Sequence, residues 1–313
     1  MSITGAPGTA AGSTISLRRS RPRYGEGVIR VLLVAAAFVS IMTTLGIIWS
    51  LAVPTFEFFQ EVGLFDFLTG TEWSPLFADP KFGVLPLVSG TLIITGIACL
   101  VAIPLGLASA IYLSEYARPK MRKTVKPILE LLAGIPTVIF GFFALEFVTQ
   151  VILQSIWPGT QVFNALSAGL VMGIMIIPTI ASLSEDAMAA VPAGLREGAY
   201  ALGSTRRQVA TRVVVPAALS GIVAAFVLGI SRAIGETMIV AIAAGLQPVL
   251  SLDVLSGMQT MTAFIAAAGS GDQPTGSLGY KTIFAVGSLL FIMTLIMNII
   301  SIRLVRRYRQ VYE

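Results

Sequence analysis

Long, unbroken apolar runs alternate with short polar stretches along this chain, and neither the period of a surface helix nor that of a half-buried strand describes them. The runs cover residues 28–53, 85–113, 127–154, 165–183, 216–246 and 282–302. At about 1.5 Å of rise per residue, each can cross a hydrocarbon layer about 30 Å thick. The pattern predicts an all-α integral membrane protein with six spans. The first run is too long for a signal-peptide core and has no small-residue cleavage site after it, so it reads as a retained span. Residues 54–84 carry Glu57, Glu61, Asp66, Glu72 and Asp79 among eight aromatic residues, including Phe58, Phe67 and Trp73. This segment reads as an extracytoplasmic cap, with an aromatic belt at the headgroups the simpler account and a ligand surface the sharper one.

Between the fourth and fifth runs lies a polar stretch, EGAYALGSTRRQVATRVVVP, over residues 197–216. Leu195, Ala199 and Leu202 stand at i, i+4 and i+7, which gives a helix one narrow apolar face and turns Arg196 and Glu197 away from it. Gly203 can end that helix, because glycine reaches backbone angles other residues avoid. Thr205 with Gln208 three residues on forms a capping box for a second helix running to Pro216. The expected organisation is a basic, disordered cytoplasmic tail over 1–27 and a six-span transmembrane domain over 28–313, with a helix-turn-helix loop at 185–215.

Composition sharpens this picture. Of the residues, 55% are hydrophobic and 12% charged, which excludes an ordinary soluble domain. The net charge of +5 does not point to nucleic acid, because of where the cations lie. Five Lys and Arg residues fall before position 31, five in 118–126, four in 196–212 and four in 303–309, making 18 of the 21. In a six-span chain all four segments share one side, so the positive-inside rule puts both termini in the cytoplasm. Cys99 is the single cysteine and histidine is absent, which excludes an intrachain disulfide and disfavours metal or histidine-based catalysis.

The spans are interrupted by Pro104, Pro136 and Pro178 and by glycines such as Gly141, Gly169, Gly173 and Gly229. Tight bundle packing and a rocking pore both account for them. Charge inside a span is more informative. Arg232 and Glu236 are four apart in the fifth run, expected on one helical face, where an isolated arginine costs roughly 2.5–3.5 kcal/mol. Either the two pair with each other as structural glue, or Arg232 offers its guanidinium fork to an oxyanion while Glu236 orients it and limits retention. Glu130 lies close enough to the cytoplasmic end of the third run to reach water, Glu146 has no evident partner, and Glu185 and Asp186, just past the fourth run, read as solvated. No grouping suggests nucleophilic or acid–base catalysis, and no GxxxxGK[ST] loop is present.

These residues carry a family resemblance. The stretch Glu197-Gly198-Ala199, then Gly203, then Val213, Val215 and Pro216 is similar to the EAA loop of ABC importer permeases, keeping its spacing. Gly198, Val213 and Val215 replace the commoner Ala, Ile and Leu. A narrower resemblance runs from about residue 65 onward: FLTGTEWSP, FGVLPLVSGTL, IPLGLASAIYLSEYA, ELLAGIPTVIFGFF and SRAIGETMIVA look like the phosphate-specific (Pst) permease, its C-type subunit more than its A-type partner.

The resemblance implies a type I ABC importer permease fold with a cytoplasmic coupling helix. It gives Arg196, Glu197, Gly198, Ala199 and Gly203 the docking of a separate ATPase, and Arg232 and Glu236 a place on the phosphate path. It further implies a second, PstA-like permease subunit, two ATPase subunits holding ATP and Mg, and an extracytoplasmic phosphate-binding protein facing 56–84 and 253–280. This chain would bind no cofactor of its own and would lie among lipid in a prokaryotic inner membrane. An A-type subunit, a sulfate or molybdate permease, an ion-coupled carrier and, more remotely, an intramembrane enzyme are the alternatives.

Overall fold

The computed structural model describes residues 24–77, 79–271 and 273–308. Most of the tail expected over 1–27 therefore lies outside the described residues, while its last four positions already belong to the first helix, Tyr24–Glu61. The chain divides into two compact units, Met1–Ser50 and Leu51–Glu313. The described part of the first unit is helix alone, apolar on every side and exposed from Glu26 to Ser50. A helix hydrophobic all round and covered by nothing is suited to lipid, where its own ladder satisfies every backbone group.

In the second unit the helix runs on past the expected end of the span to Glu61, carrying Pro54 within it. A short helix, Leu64–Thr69, and a two-strand antiparallel hairpin come next, Trp73–Ser74 against Lys81–Phe82, with Trp73 opposite Phe82. Phe58, Phe67 and Trp73 are buried and meet one another, Phe59, Phe82 and Phe264 edge to face. Much of this segment is thus a packed aromatic core rather than a headgroup belt, although Phe56, Phe65 and Phe77 do stay exposed. The reason is local: the hairpin folds the aromatic residues back on the helix, so ring quadrupoles pair with one another instead of with headgroups.

The second span, Leu85–Ile111, ends in a π-helical turn, Tyr112–Tyr116. The third run does not form one span from position 127, as expected, but two helices. Pro119–Ala133 is strongly amphipathic and buries no residue. It stops at Gly134, and the span proper starts at Thr137 and runs through Phe142 into a π-helical stretch, Phe143–Leu153, reaching Ile156. Pro136 sets this boundary: it lacks an N–H and pushes Ile135 out of helical angles. The fourth span, Ala165–Ala189, is capped by Asn164, whose side-chain oxygen accepts from the Ser167 amide at 2.8 Å.

The fifth run also departs from a single helix. The stretch Arg206–Ala217 is bent by 73° against Leu219–Ile234. After Gly235 the chain resumes a helical course that becomes π-helical over Val240–Ala244 and ends at Gly245, where φ is +83°. The loop after it is not simply a surface facing outward. Residues 257–264 are buried, and helix Met261–Gly269 packs its start against the second span, the Met261 amide donating to Thr91 Oγ1 at 3.1 Å. The last helix is Leu278–Tyr308. Among the described residues five helices are long and apolar enough to cross a membrane, six when the bent pair counts as one.

The fourth span is the axis of this unit, with 61% of its apolar window buried against 11% for the last helix. Met172, Met175, Ile176 and Ile180 pack with Ile94, Ala98 and Ala102 of the second span and Ala144 and Val148 of the third. Small residues permit the approach: a Cβ placed on Gly173 would lie 2.9 Å from the Ala98 carbonyl oxygen.

Candidate functional site

Two groups of predicted residues lie in different parts of the second unit. In the membrane-spanning part, Arg232 sits in the last turn of Leu219–Ile234 and is half-buried. Its Nη1 donates to Thr179 Oγ1 of the fourth span at 3.1 Å, directly after Pro178. Glu236 does not share a helical face with it. The helix has already ended at Gly235, so four residues of spacing no longer bring the two side chains together, and no ion pair joins them. Glu236 instead caps the next helical segment: its Oε1 accepts from the amides of Met238 at 3.0 Å and Ile239 at 3.3 Å. A carboxylate suits this position, since it meets the first free amides of that segment and its dipole. Its backbone carbonyl accepts from the Thr262 hydroxyl at 2.7 Å. Glu236 is 8% exposed, among Thr91, Thr95, Thr260 and Thr262, and the space between them is too small for a water molecule.

Of the two readings, the intrahelical ion pair is therefore absent, and each residue is handled separately. Glu236 holds the fifth span's break against the returning loop. Arg232 keeps one neutral partner, and a guanidinium carries five N–H groups, so donors remain for an anion.

At the other part, helix Ala193–Ala201 begins just after Pro192. Gly203 ends it with φ +78°, and the Gly203 amide donates to the Tyr200 carbonyl at 2.9 Å and that of Ser204 to Ala199 at 3.1 Å. The capping box forms as the sequence predicts: the Gln208 amide donates to Thr205 Oγ1, and the Thr205 amide donates to Gln208 Oε1 at 2.8 Å. Glu197, Gly198 and Tyr200 are exposed, Leu202 is 89% exposed, and Ala199 is half-buried. The helix thus offers an acidic and apolar outer surface with open space over Gly194 and Gly198.

Arg196 points the other way. It donates from Nε and Nη2 to Glu115 Oε1, each at 3.2 Å, and to the carbonyls of Val191 and Met188, each at 2.7 Å. Of the five residues expected at a partner's surface, this one is an internal anchor.

Residues 102–310 match the family described as "Binding-protein-dependent transport system inner membrane component". The chain belongs to this family. It is thus a multi-pass inner-membrane permease subunit of a binding-protein-dependent ABC transport system. It is 37% identical to the probable ABC transporter permease protein YqgH of Bacillus subtilis strain 168, over 95% of this chain and 96% of that one. It is 33% identical to the phosphate transport system permease protein PstC of Mesorhizobium japonicum, over 85% and 86%. The fold is shared with a bacterial ABC transporter involved in the import of the acidic polysaccharide alginate, at a TM-score of 0.64 and 17% identity over 92% of this chain and all of that one. An inward-facing MetNI methionine ABC transporter matches at a TM-score of 0.56 and 23% identity, over 72% and 97%.

The permease also holds polar contacts that its sequence did not disclose. Glu185 is not solvated: its side chain is fully buried at the end of the fourth span, and both Arg122 and Lys126 of helix Pro119–Ala133 reach it, Lys126 at 2.9 Å. Lys126 also pairs with Asp186, whose side chain is 57% exposed. Burial opposes the Lys126 charge, but hydrogen bonds to Asp186 and Glu185 and their negative charges outweigh it, and its pKa is raised. The basic cluster at 118–126 was the available signal, and it reads equally well as a solvated cytoplasmic turn until a buried carboxylate is found opposite. Thr179 and Glu115 gave no signal, since each lies 53 or more positions from its arginine.

Proposed function

We propose that this permease is the C-type half of an ATP-driven phosphate importer and that Arg232 is the anion contact on its translocation path. The observation that carries the reading is the half-buried guanidinium in the fifth span, held by one neutral hydroxyl with donors to spare. An uncompensated arginine in a span is costly, and an anion passing through supplies the missing partner. The reading is supported by likeness to a phosphate transport permease over most of both chains.

Glu236 acts on this path indirectly, by fixing the break after Arg232. The outer surface of helix Ala193–Ala201, with Glu197, Gly198 and Leu202, docks one of two ATPase subunits, and Gly203 fixes its exit. Ala199 backs the helix from within. A PstA-like subunit completes the pore, and an extracytoplasmic phosphate-binding protein delivers the anion. Both termini lie in the cytoplasm in this reading, which the distribution of Lys and Arg supports. One guanidinium can also serve sulfate or molybdate, so the substrate needs its own test.

The experiment is ATP-dependent uptake of labelled phosphate by proteoliposomes holding the complete complex, native against Arg232→Gln, with sulfate as competitor and assembly verified for both. The expected result is uptake reduced by about 100-fold, the scale of a lost charged hydrogen bond of about 3 kcal/mol, with no competition from sulfate. Unchanged uptake removes Arg232 from the path. Strong competition by sulfate replaces phosphate with a wider oxyanion class.

A further inference from the structure

The Arg196 side chain joins three elements at one point. Its helix, Ala193–Ala201, is the outward-facing one. Two of its bonds end on the carbonyls of Met188 and Val191, where the fourth span gives out at Ala189. Two more end on Glu115 Oε1, inside the π-helical turn that closes the second span. That same oxygen accepts a third bond, from the Ser114 hydroxyl at 3.0 Å. The Glu115 side chain is 5% exposed and that of Arg196 is 21% exposed, so this is an interior contact.

Each feature has a physical reason. The final carbonyls of a helix have no amide partner within it and carry the negative end of its dipole, so a cation is favoured there. A π-turn inserts a residue and re-aims the side chains after it, which is how the second span turns Glu115 toward the end of the fourth. The guanidinium is planar and rigid, so a movement of its own helix is passed to both partners together rather than absorbed by a flexible stem. The second and fourth spans also share the most extensive packing of any two elements among the described residues, and Gly169 and Gly173 let them approach. The fourth carries Thr179, the partner of Arg232.

We propose that Arg196 and Glu115 form the link through which displacement of helix Ala193–Ala201 reaches the second and fourth spans, so that the pair sets how much anion moves per ATP. Arg196 is a positioning residue: it touches neither the anion nor the ATPase. The inference rests on the coupling role proposed for its helix and assigns the transmission to two named residues.

The test uses the complete complex in proteoliposomes with Arg196→Gln, Glu115→Gln, the double variant and Arg196→Lys, measuring labelled phosphate transported per ATP hydrolysed, with subunit association measured in parallel. A purely structural contact would lower assembly and leave that ratio alone. Each single glutamine variant is expected to keep its ATPase partners and hydrolyse ATP while the ratio falls about tenfold, within the usual range of site-to-site coupling. The double variant should lose no more than either single, as partners in one link do, and Arg196→Lys should behave as a loss, since a single ammonium nitrogen lacks the planar fork whose separate nitrogens reach Glu115, Val191 and Met188. Should Arg196→Gln fail to assemble, Glu115→Gln reads the same ratio with an acceptor retained. A native ratio in assembled single variants, or losses that add in the double, overturns the link. Leu202→Arg separates the two levels: if it leaves ATPase association and stimulation intact, docking lies elsewhere and the lever reading fails together with the link.

Discussion

Single side chains decide more here than their number suggests, because each charged group in a low-dielectric setting must find a partner. Glu185 finds two, and Lys126 serves both it and Asp186. The pKa of Lys126 is raised above the ordinary lysine value of 10.5. A raised lysine contributes stability that is complete below the pKa of the unfolded chain and is lost as the pH climbs through that of the folded one. The thermal midpoint in detergent should therefore be insensitive to Lys126 from about pH 6 to pH 9 and should fall only in strongly alkaline solution. Glu185→Gln should lower stability by about 2 kcal/mol at neutral pH, because two cations lose a buried charged acceptor. A variant as stable as the native protein would mean that the clamp contributes nothing. Arg232 illustrates the other outcome. Its partner was not legible, since the sequence offered Glu236 as the evident one and the chain used Thr179.

At the scale of elements, helix breaks control what side chains can reach. The fifth run contains Arg232 and Glu236 at helical spacing, yet Gly235 ends the helix between them and turns a candidate ion pair into a guanidinium bonded to Thr179 and a capping carboxylate. In the third run, Ile135 and Pro136 divide an amphipathic helix from a span. Packing between elements is equally exacting. Gly173→Ala would bring a methyl group to 2.9 Å from a backbone oxygen of the second span, and neither backbone can yield without disturbing the axis of the unit. We expect it to cost about 1–3 kcal/mol, read as a lower thermal midpoint of the purified complex. Full native stability would show that the contact is slack.

The same physics separates the features legible in the sequence from those that were not. Apolar runs announce spans because lipid tolerates little else, and the turn Gly203-Ser204-Thr205 was readable because glycine and a capping box act over three or four residues. The ends of spans three and five, the aromatic core around Phe58 and Trp73, and the Glu115–Arg196 contact were not readable in that way. Each depends on chain segments that meet only after folding, the last across 81 positions.

At the scale of the whole molecule, the orientation proposed from the cations sets Leu202 on the cytoplasmic side of the membrane and Phe77, in the acidic, aromatic segment, on the other. A membrane-impermeant thiol reagent applied to intact cells should label Phe77→Cys and should reach Leu202→Cys only after the membrane is opened, with the native Cys99 as background. The reverse pattern would invert the orientation proposed from the cations.

The last helix adds a measure of thickness. Its Lys281 is held by Glu57 and Glu61, at 3.3 Å each, and Arg303 lies 22 residues further along. At about 1.5 Å per residue the two cations stand about 33 Å apart, close to the depth of a typical hydrocarbon core of about 30 Å. The helix is therefore a ruler that fits when it stands nearly upright, with one cation at each waterline. A bilayer of much longer lipid chains would press the Glu57–Lys281–Glu61 cluster toward hydrocarbon or thin around it, so lipid chain length becomes a mechanical load on the same unit that carries Arg232 and helix Ala193–Ala201.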